Sequence, residues 1–179
     1  MVAAEFLPLW AALMAAMMLP STLPLLRLDY ATTRSRGRTL ALATGYLVVW
    51  LALGSIVVAA DGAIGMHGNR LTVALLAVAA LYQLLPVKRR CLTRCRAPLG
   101  RMLFGWRDGL GGAARMGVEN GLWCAGCCAG LMVALLGLGA MSWIWMALVG
   151  SVILVEKVTW IRADALSALL AAGAVAWAL

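Results

Sequence analysis

Charged side chains are scarce in this sequence. Of its 179 residues, 12% are charged and 64% are hydrophobic, and the mean hydropathy is +0.95. Soluble globular domains carry about 25% charged residues, because most of their surface faces water. The composition therefore excludes a water-soluble domain and predicts an integral membrane protein.

Histidine and the common catalytic motifs are also scarce or missing. The one histidine, His67, cannot supply the paired axial ligands of a membrane haem. The sequence contains no phosphate loop, dinucleotide fingerprint or Ser/His/Asp set, so we predict that the chain is not an enzyme. Its five cysteines are divided between a basic and an apolar segment and do not indicate a disulfide framework.

Long apolar runs are what the sequence has in abundance. A bilayer core of about 30 Å needs about 20 apolar residues in a helix, and six stretches approach or reach that length. We therefore predict an all-α fold, a polytopic transmembrane bundle of about six helices that forms a single membrane domain over residues 1–179. The predicted spans run roughly from Phe6 to Leu26, Thr39 to Ala60, Leu71 to Leu85, Gly112 to Leu136, Met141 to Trp160 and Ala163 to Ala178.

Lysine and arginine are distributed unevenly between these spans. Fourteen of the fifteen lie in or beside the first, third and fifth connections, and Arg70 alone lies on the other side. Positive residues collect on the cytoplasmic side, so we predict a multi-pass protein of the bacterial inner membrane with both termini outside the cytoplasm. The third connection forms a basic cytoplasmic loop over about 88–110. Since topology accounts for the net charge of +8, we expect a lipid bilayer and no nucleic acid as partner.

Three cysteines lie together in the fourth span. At 100° per residue, Cys124, Cys127 and Cys128 share one helix face with Met116 and Asn120, near the predicted bilayer midplane. Thiolates are soft ligands, so the set favours Cu(I), with Zn(II) as the second choice. The alternative is that the cysteines serve only as small apolar residues that allow close helix packing. Gly117 and Gly121, on nearly the same face, are small residues of this kind.

The first span repeats this spacing with methionine. Met14, Met17 and Met18 lie at similar depth, and their thioethers would approach the thiols if spans one and four are neighbours. They are then candidate ligands on the exit side. The alternative is that methionine simply fills space in a membrane helix.

Two acidic residues lie within predicted spans. Glu119 and Glu156 are expensive to bury unless they are neutral, paired or coordinated, which makes both candidates for balancing charge or carrying a proton. The alternatives are a buried ion pair of Glu119 with Arg115 and a pair of Glu156 with Arg162 or Lys157.

The basic loop contains another pair of thiols, Cys91 and Cys95. The surrounding arginines favour thiolate, and we expect both to be accessible and reactive. They could capture Cu(I) as a cytoplasmic relay or form a redox pair. Two donors do not complete a zinc site, which usually needs four.

The motifs MAAMMLPS, LYQLLPVKRRCLTRCRAPLG, GWRDGL, GLWCAGCC and LVEK, in this order, resemble those of the domain of unknown function 2182 family. That family is described as predicted metal-binding integral membrane proteins, and the resemblance covers roughly Leu9 to Lys157. It implies a helical membrane protein with a metal site. Relatives often have histidine at the position of Asn120, so the resemblance also implies a site here that depends more on sulfur.

These observations favour a membrane protein that binds a soft ion, most simply Cu(I), and stores, passes or transports it. The alternative is a non-catalytic structural or assembly subunit of a larger membrane complex, with the small-residue face of span four as its docking surface. A third hypothesis makes Cys91 and Cys95 a thiol redox switch. The oligomeric state is left open by the sequence.

Overall fold

The structure, a computed structural model, describes residues 3–64, 69–138, 143–158 and 164–178. Within these ranges it is all-α, with eight helices and no strand, so the predicted fold class is confirmed. The helices are α1 (Ala3–Thr33), α2 (Arg36–Ile64), α3 (Asn69–Leu84), α4 (Pro86–Cys95), α5 (Pro98–Phe104), α6 (Gly109–Leu138), α7 (Trp143–Val158) and α8 (Asp164–Ala178).

Among the described residues, three helices are long and apolar enough to cross a membrane: the Pro8–Thr33 part of α1, the Arg36–Val57 part of α2, and α6. A fourth crossing results if α3 and α4, bent by 68° at their junction, form one broken span. The bend occurs at Pro86, which cannot donate a backbone hydrogen bond and disfavours helical backbone in the residue before it. The fifth and sixth predicted spans correspond to α7 and α8, of 16 and 15 residues. Residues 139–142 and 159–163, beside α7 and α8, lie outside the described ranges, as does His67.

Contacts group the chain into two compact units, each built from two separate stretches. The first comprises Met1–Ile64 and Thr93–Ala125, and the second comprises Gly65–Leu92 and Gly126–Leu179. The continuous helix α6 contributes to both. That the whole chain is a single membrane domain stays a prediction.

In the first unit, α2 packs against both α1 and α6. A shared apolar core contains Leu25 of α1, Leu42 of α2 and Met116 of α6. Gly117 and Gly121 allow the backbones to approach closely: a Cβ at Gly121 would lie 2.8 Å from a methyl carbon of Val49, and one at Gly117 would overlap the Leu42 carbonyl. These small residues position the α6 backbone against α2.

The start of α6 is anchored by a buried arginine. The Arg38 Nε donates to Asp29 at 2.9 Å, and its NH1 donates to the Arg107 carbonyl at 2.8 Å. The guanidinium also stacks over Trp106, 4.0 Å from the ring centroid. Arg38, which the sequence analysis counted only toward membrane topology, thus connects the α1–α2 turn to the segment that precedes α6.

In the second unit, α3 packs against α8 and against the later part of α6. Leu76 and Ala79 of α3 share a buried cluster with Ala134 of α6. Gly130 lies where a Cβ would come within 3.0 Å of the Tyr82 ring. Tyr82 of α3 therefore packs against α6 at Gly130.

Candidate metal centre

Three buried thiols form a cluster on α6. The Sγ atoms of Cys124, Cys127 and Cys128 all lie within 4.8 Å of one another, and each side chain is at most 2% exposed. Cys127 Sγ lies 3.5 Å from Cys128 Sγ, and none of the three cysteines forms a disulfide bond. The i, i+3, i+4 spacing brings them together on any α-helix, so their predicted proximity is confirmed. That they bind a metal stays a prediction at this point.

Tyr46 of α2 contacts the first of these thiols. Its hydroxyl oxygen lies 3.0 Å from Cys124 Sγ, and its O–H donates to the Met18 carbonyl at 3.4 Å. A phenol that donates to the carbonyl can accept the Cys124 S–H with its oxygen. The contact therefore orients the thiol and links it to α1.

Tyr82 of α3 contacts α6 at Gly126, which lies between Cys124 and Cys127 in the sequence. Its hydroxyl donates to the Gly126 carbonyl at 2.6 Å. Gly126 directly precedes Cys127, so this bond holds the backbone next to two of the three thiols. In a helix, that carbonyl is normally occupied only by the N–H four residues later, and its second lone pair is free to accept.

Cys91 of α4 also lies at Gly126. A Cβ built on that glycine would be 2.8 Å from Cys91 Sγ, and Cys91 is buried. The expectation that both loop cysteines are accessible is therefore wrong for Cys91, because α4 folds back at Pro86 and packs this side chain against α6. Cys95, one turn later, is only half-buried. The two thiols of the predicted pair thus have different surroundings.

A buried ion pair lies one helical turn before Cys91. The Lys88 Nζ donates to Glu156 Oε1 at 2.7 Å and also to the Gln83 side-chain oxygen. Lys88 of α4 is thus a partner of Glu156 that the sequence did not suggest, and Arg162, one of the two partners considered there, lies outside the described ranges. The broken helix allows this pairing, since it turns Lys88 back into the apolar core.

Glu119 has a different environment. It pairs with Arg115 one turn earlier on α6, at 3.3 Å, and its side chain is 40% exposed. The pair with Arg115 is therefore present, but it is exposed and not buried as the alternative expected. Its proposed role in balancing charge or carrying a proton stays a prediction.

The remaining predicted ligands differ in burial. Met14, Met18 and Asn120 are buried, whereas Met17 is half-buried. The assumption that spans one and four belong together is supported, since α1 and α6 share the core described above and both contact Tyr46. Helix α1 continues through Pro20 and Pro24 without a break.

The small-residue face of span four contacts the same chain. Gly117 and Gly121 face α2, with Leu42, Tyr46 and Val49 as the nearest neighbours. This face was the docking surface of the alternative hypothesis, an assembly subunit. Internal packing occupies it, although partners at other surfaces stay untested.

Four polar residues at the site were missed by sequence reasoning: Tyr46, Tyr82, Gln83 and Lys88. A signal was available for each. A phenol, an amide or an ammonium inside or next to an apolar run needs a buried partner, because an unsatisfied polar group in hydrocarbon costs several kcal/mol. The positions of these four residues along the chain do not indicate which group each side chain contacts.

Comparison with known proteins supplies an independent finding. A family model described as PpoB2, copper chaperone, matches residues 7–179. No curated protein and no solved structure matches the chain. The match confirms a metal-related family, whereas the name domain of unknown function 2182 stays a prediction.

Proposed function

Because this chain belongs to the PpoB2 copper chaperone family, we propose that it binds Cu(I) through Cys124, Cys127 and Cys128 while embedded in a membrane, and passes the ion on. The observation that carries the proposal is the cluster of three buried sulfur atoms within 4.8 Å of one another. Thiolates match Cu(I) in softness, and Cu(I) accepts few ligands. Zn(II) is the second choice, since it usually takes four ligands.

Burial of the cluster favours a metal over bare thiolates. A cysteine must lose its proton to bind a metal, and a buried thiolate without a compensating charge is costly. Cu(I) supplies one positive charge, which offsets one of the three thiolates. The buried Lys88 ammonium, one turn from Cys91, is already paired with Glu156.

Cys91 is the proposed relay sulfur. Its Sγ lies against α6 at Gly126, the residue before Cys127, and we propose that it passes the ion to the last two thiols of the cluster. The half-buried Cys95 is then an outer donor, and Met14, Met17 and Met18 are acceptors on the exit side. The length and hydropathy of α1, α2 and α6 support the membrane part of the proposal. We further propose a bacterial inner-membrane location with both termini outside the cytoplasm, and no enzymatic activity.

Metal analysis of the purified protein tests this function. After anaerobic loading with Cu(I) and removal of loosely bound ion, we expect about one copper per chain. Replacement of Cys124, Cys127 and Cys128 together by Ala should abolish binding. The matched control, Cys95→Ala, should retain it.

The triple variant is informative only if it folds, so its helix content and thermal transition are measured beside the wild type. Unchanged copper in a folded triple variant would refute the assignment of these three ligands. Loss of copper in Cys95→Ala but not in the triple variant would move the site to the basic segment.

A further inference from the structure

A separate cavity lies between α6 and the short helices α4 and α5. Its volume is about 420 Å³, within the range of small-ligand sites. It does not contain the thiol cluster. The lining residues are Arg94, Ala97, Gly100, Arg101, Phe104, Gly105, Glu119 and Trp123.

The cavity carries an excess of positive charge. Arg94 stacks over the Trp123 ring, 4.6 Å from its centroid, which fixes the direction of its guanidinium. Arg101 is half-buried, and burial lowers its pKa, while the nearby Cys95 and Glu119 oppose that shift. The guanidinium group of an arginine nevertheless stays protonated in proteins. Glu119, the one acid in the lining, is also paired with Arg115, so an anion entering the cavity meets two guanidinium groups against one carboxylate.

The cavity mouth is apolar and open. Phe104 lines the cavity and is 92% exposed, and Leu99 and Leu103 of the same short helix are also exposed. Bare apolar side chains beside arginines are typical of a helix that lies at a membrane surface. A ligand in this cavity therefore has cations around one end and hydrocarbon-compatible side chains at the other.

We propose that this cavity binds the phosphate of an anionic phospholipid, with the acyl chains passing over Phe104 and Leu103. The planar guanidinium groups of Arg94 and Arg101 suit a phosphate because each can donate two parallel hydrogen bonds. The inference rests on the membrane part of the proposed function and is independent of copper binding.

Lipid titration of the delipidated protein in mild detergent, read by native mass spectrometry, tests the proposal. We expect phosphatidylglycerol to bind at least about tenfold more tightly than phosphatidylcholine. Arg94→Gln combined with Arg101→Gln should weaken phosphatidylglycerol by at least about tenfold. A charge-matched control, Arg27→Gln with Arg36→Gln, removes two exposed arginines outside the cavity and should leave the affinity unchanged.

Soluble glycerol phosphate forms the second arm, and we expect it to bind far more weakly than the lipid. Glycerol phosphate as tight as phosphatidylglycerol would identify a free-phosphate site and overturn the lipid assignment. Equal affinities for the two lipids, or an unaffected Arg94/Arg101 variant, would overturn the site itself. The same variant is loaded with Cu(I): retained copper separates a failure of this inference from a failure of the copper site.

Discussion

The two glutamates that lie within predicted membrane spans, Glu119 and Glu156, have opposite environments. Glu156 pairs with Lys88, 68 residues away in the chain, and both side chains are buried. Glu119 pairs with Arg115 on its own helix, and both are substantially exposed. Removing one partner of a buried pair leaves an uncompensated charge, whereas an exposed i, i+4 pair contributes little. Two glutamates that both lie within predicted spans can thus have different roles.

The largest effect is expected from Glu156→Ala. The Lys88 ammonium would then be buried without its carboxylate, and we expect a loss of about 3–5 kcal/mol in unfolding free energy. The measurement is a denaturant titration of the purified protein in detergent. A loss no larger than that of Glu119→Ala would remove the distinction between the two glutamates.

An intermediate effect is expected from Gly126→Ala. The added methyl group would meet Cys91 Sγ at 2.8 Å, so the sulfur must move, and overpacking of this kind typically costs about 1–3 kcal/mol. The matched control is Gly111→Ala, also on α6, where the added methyl group would meet no neighbouring atom within 4 Å. This variant should be neutral or slightly stabilising. If the two variants are equally stable, Cys91 does not pack against α6.

Replacing both members of the buried pair sharpens the comparison. Lys88→Met with Glu156→Met removes two buried charges at once, and we expect stability within about 1 kcal/mol of the wild type or above it. Copper retention, measured on the same sample, separates structure from function. A stable double variant that loses copper faster would indicate that the pair serves the metal site.

The smallest effect is expected from Glu119→Gln. Exposed i, i+4 pairs are worth about 0.3–0.5 kcal/mol, and added salt weakens them further. The same denaturant titration, at low and high salt, provides the check. A loss above about 2 kcal/mol would mean that this carboxylate has a buried role.

The parts of the site that the sequence predicts are those set by local geometry. Cys124, Cys127 and Cys128 must share a face on any helix, and the pairing of Glu119 with Arg115 follows from the same periodicity. The burial of Cys91 and the partner of Glu156 were not predictable in this way. Both depend on the 68° bend at Pro86, which turns a segment that reads as a basic loop back into the core.

Tyrosine positions illustrate the same limit. An apolar run that contains Tyr46 or Tyr82 predicts that the phenol needs a partner. The identity of each partner, a thiol and a carbonyl on α6, depends on how three helices pack. Helix number and class are therefore accessible from composition, whereas contacts between distant segments are not.

X-ray absorption at the copper edge tests the central claim most directly. For the Cu(I)-loaded protein we predict a first coordination shell made only of sulfur, and loss of that spectrum when Cys124, Cys127 and Cys128 are replaced by Ala. A shell of nitrogen or oxygen, or an unchanged sulfur spectrum in the folded triple variant, would contradict a copper site built from these three thiols.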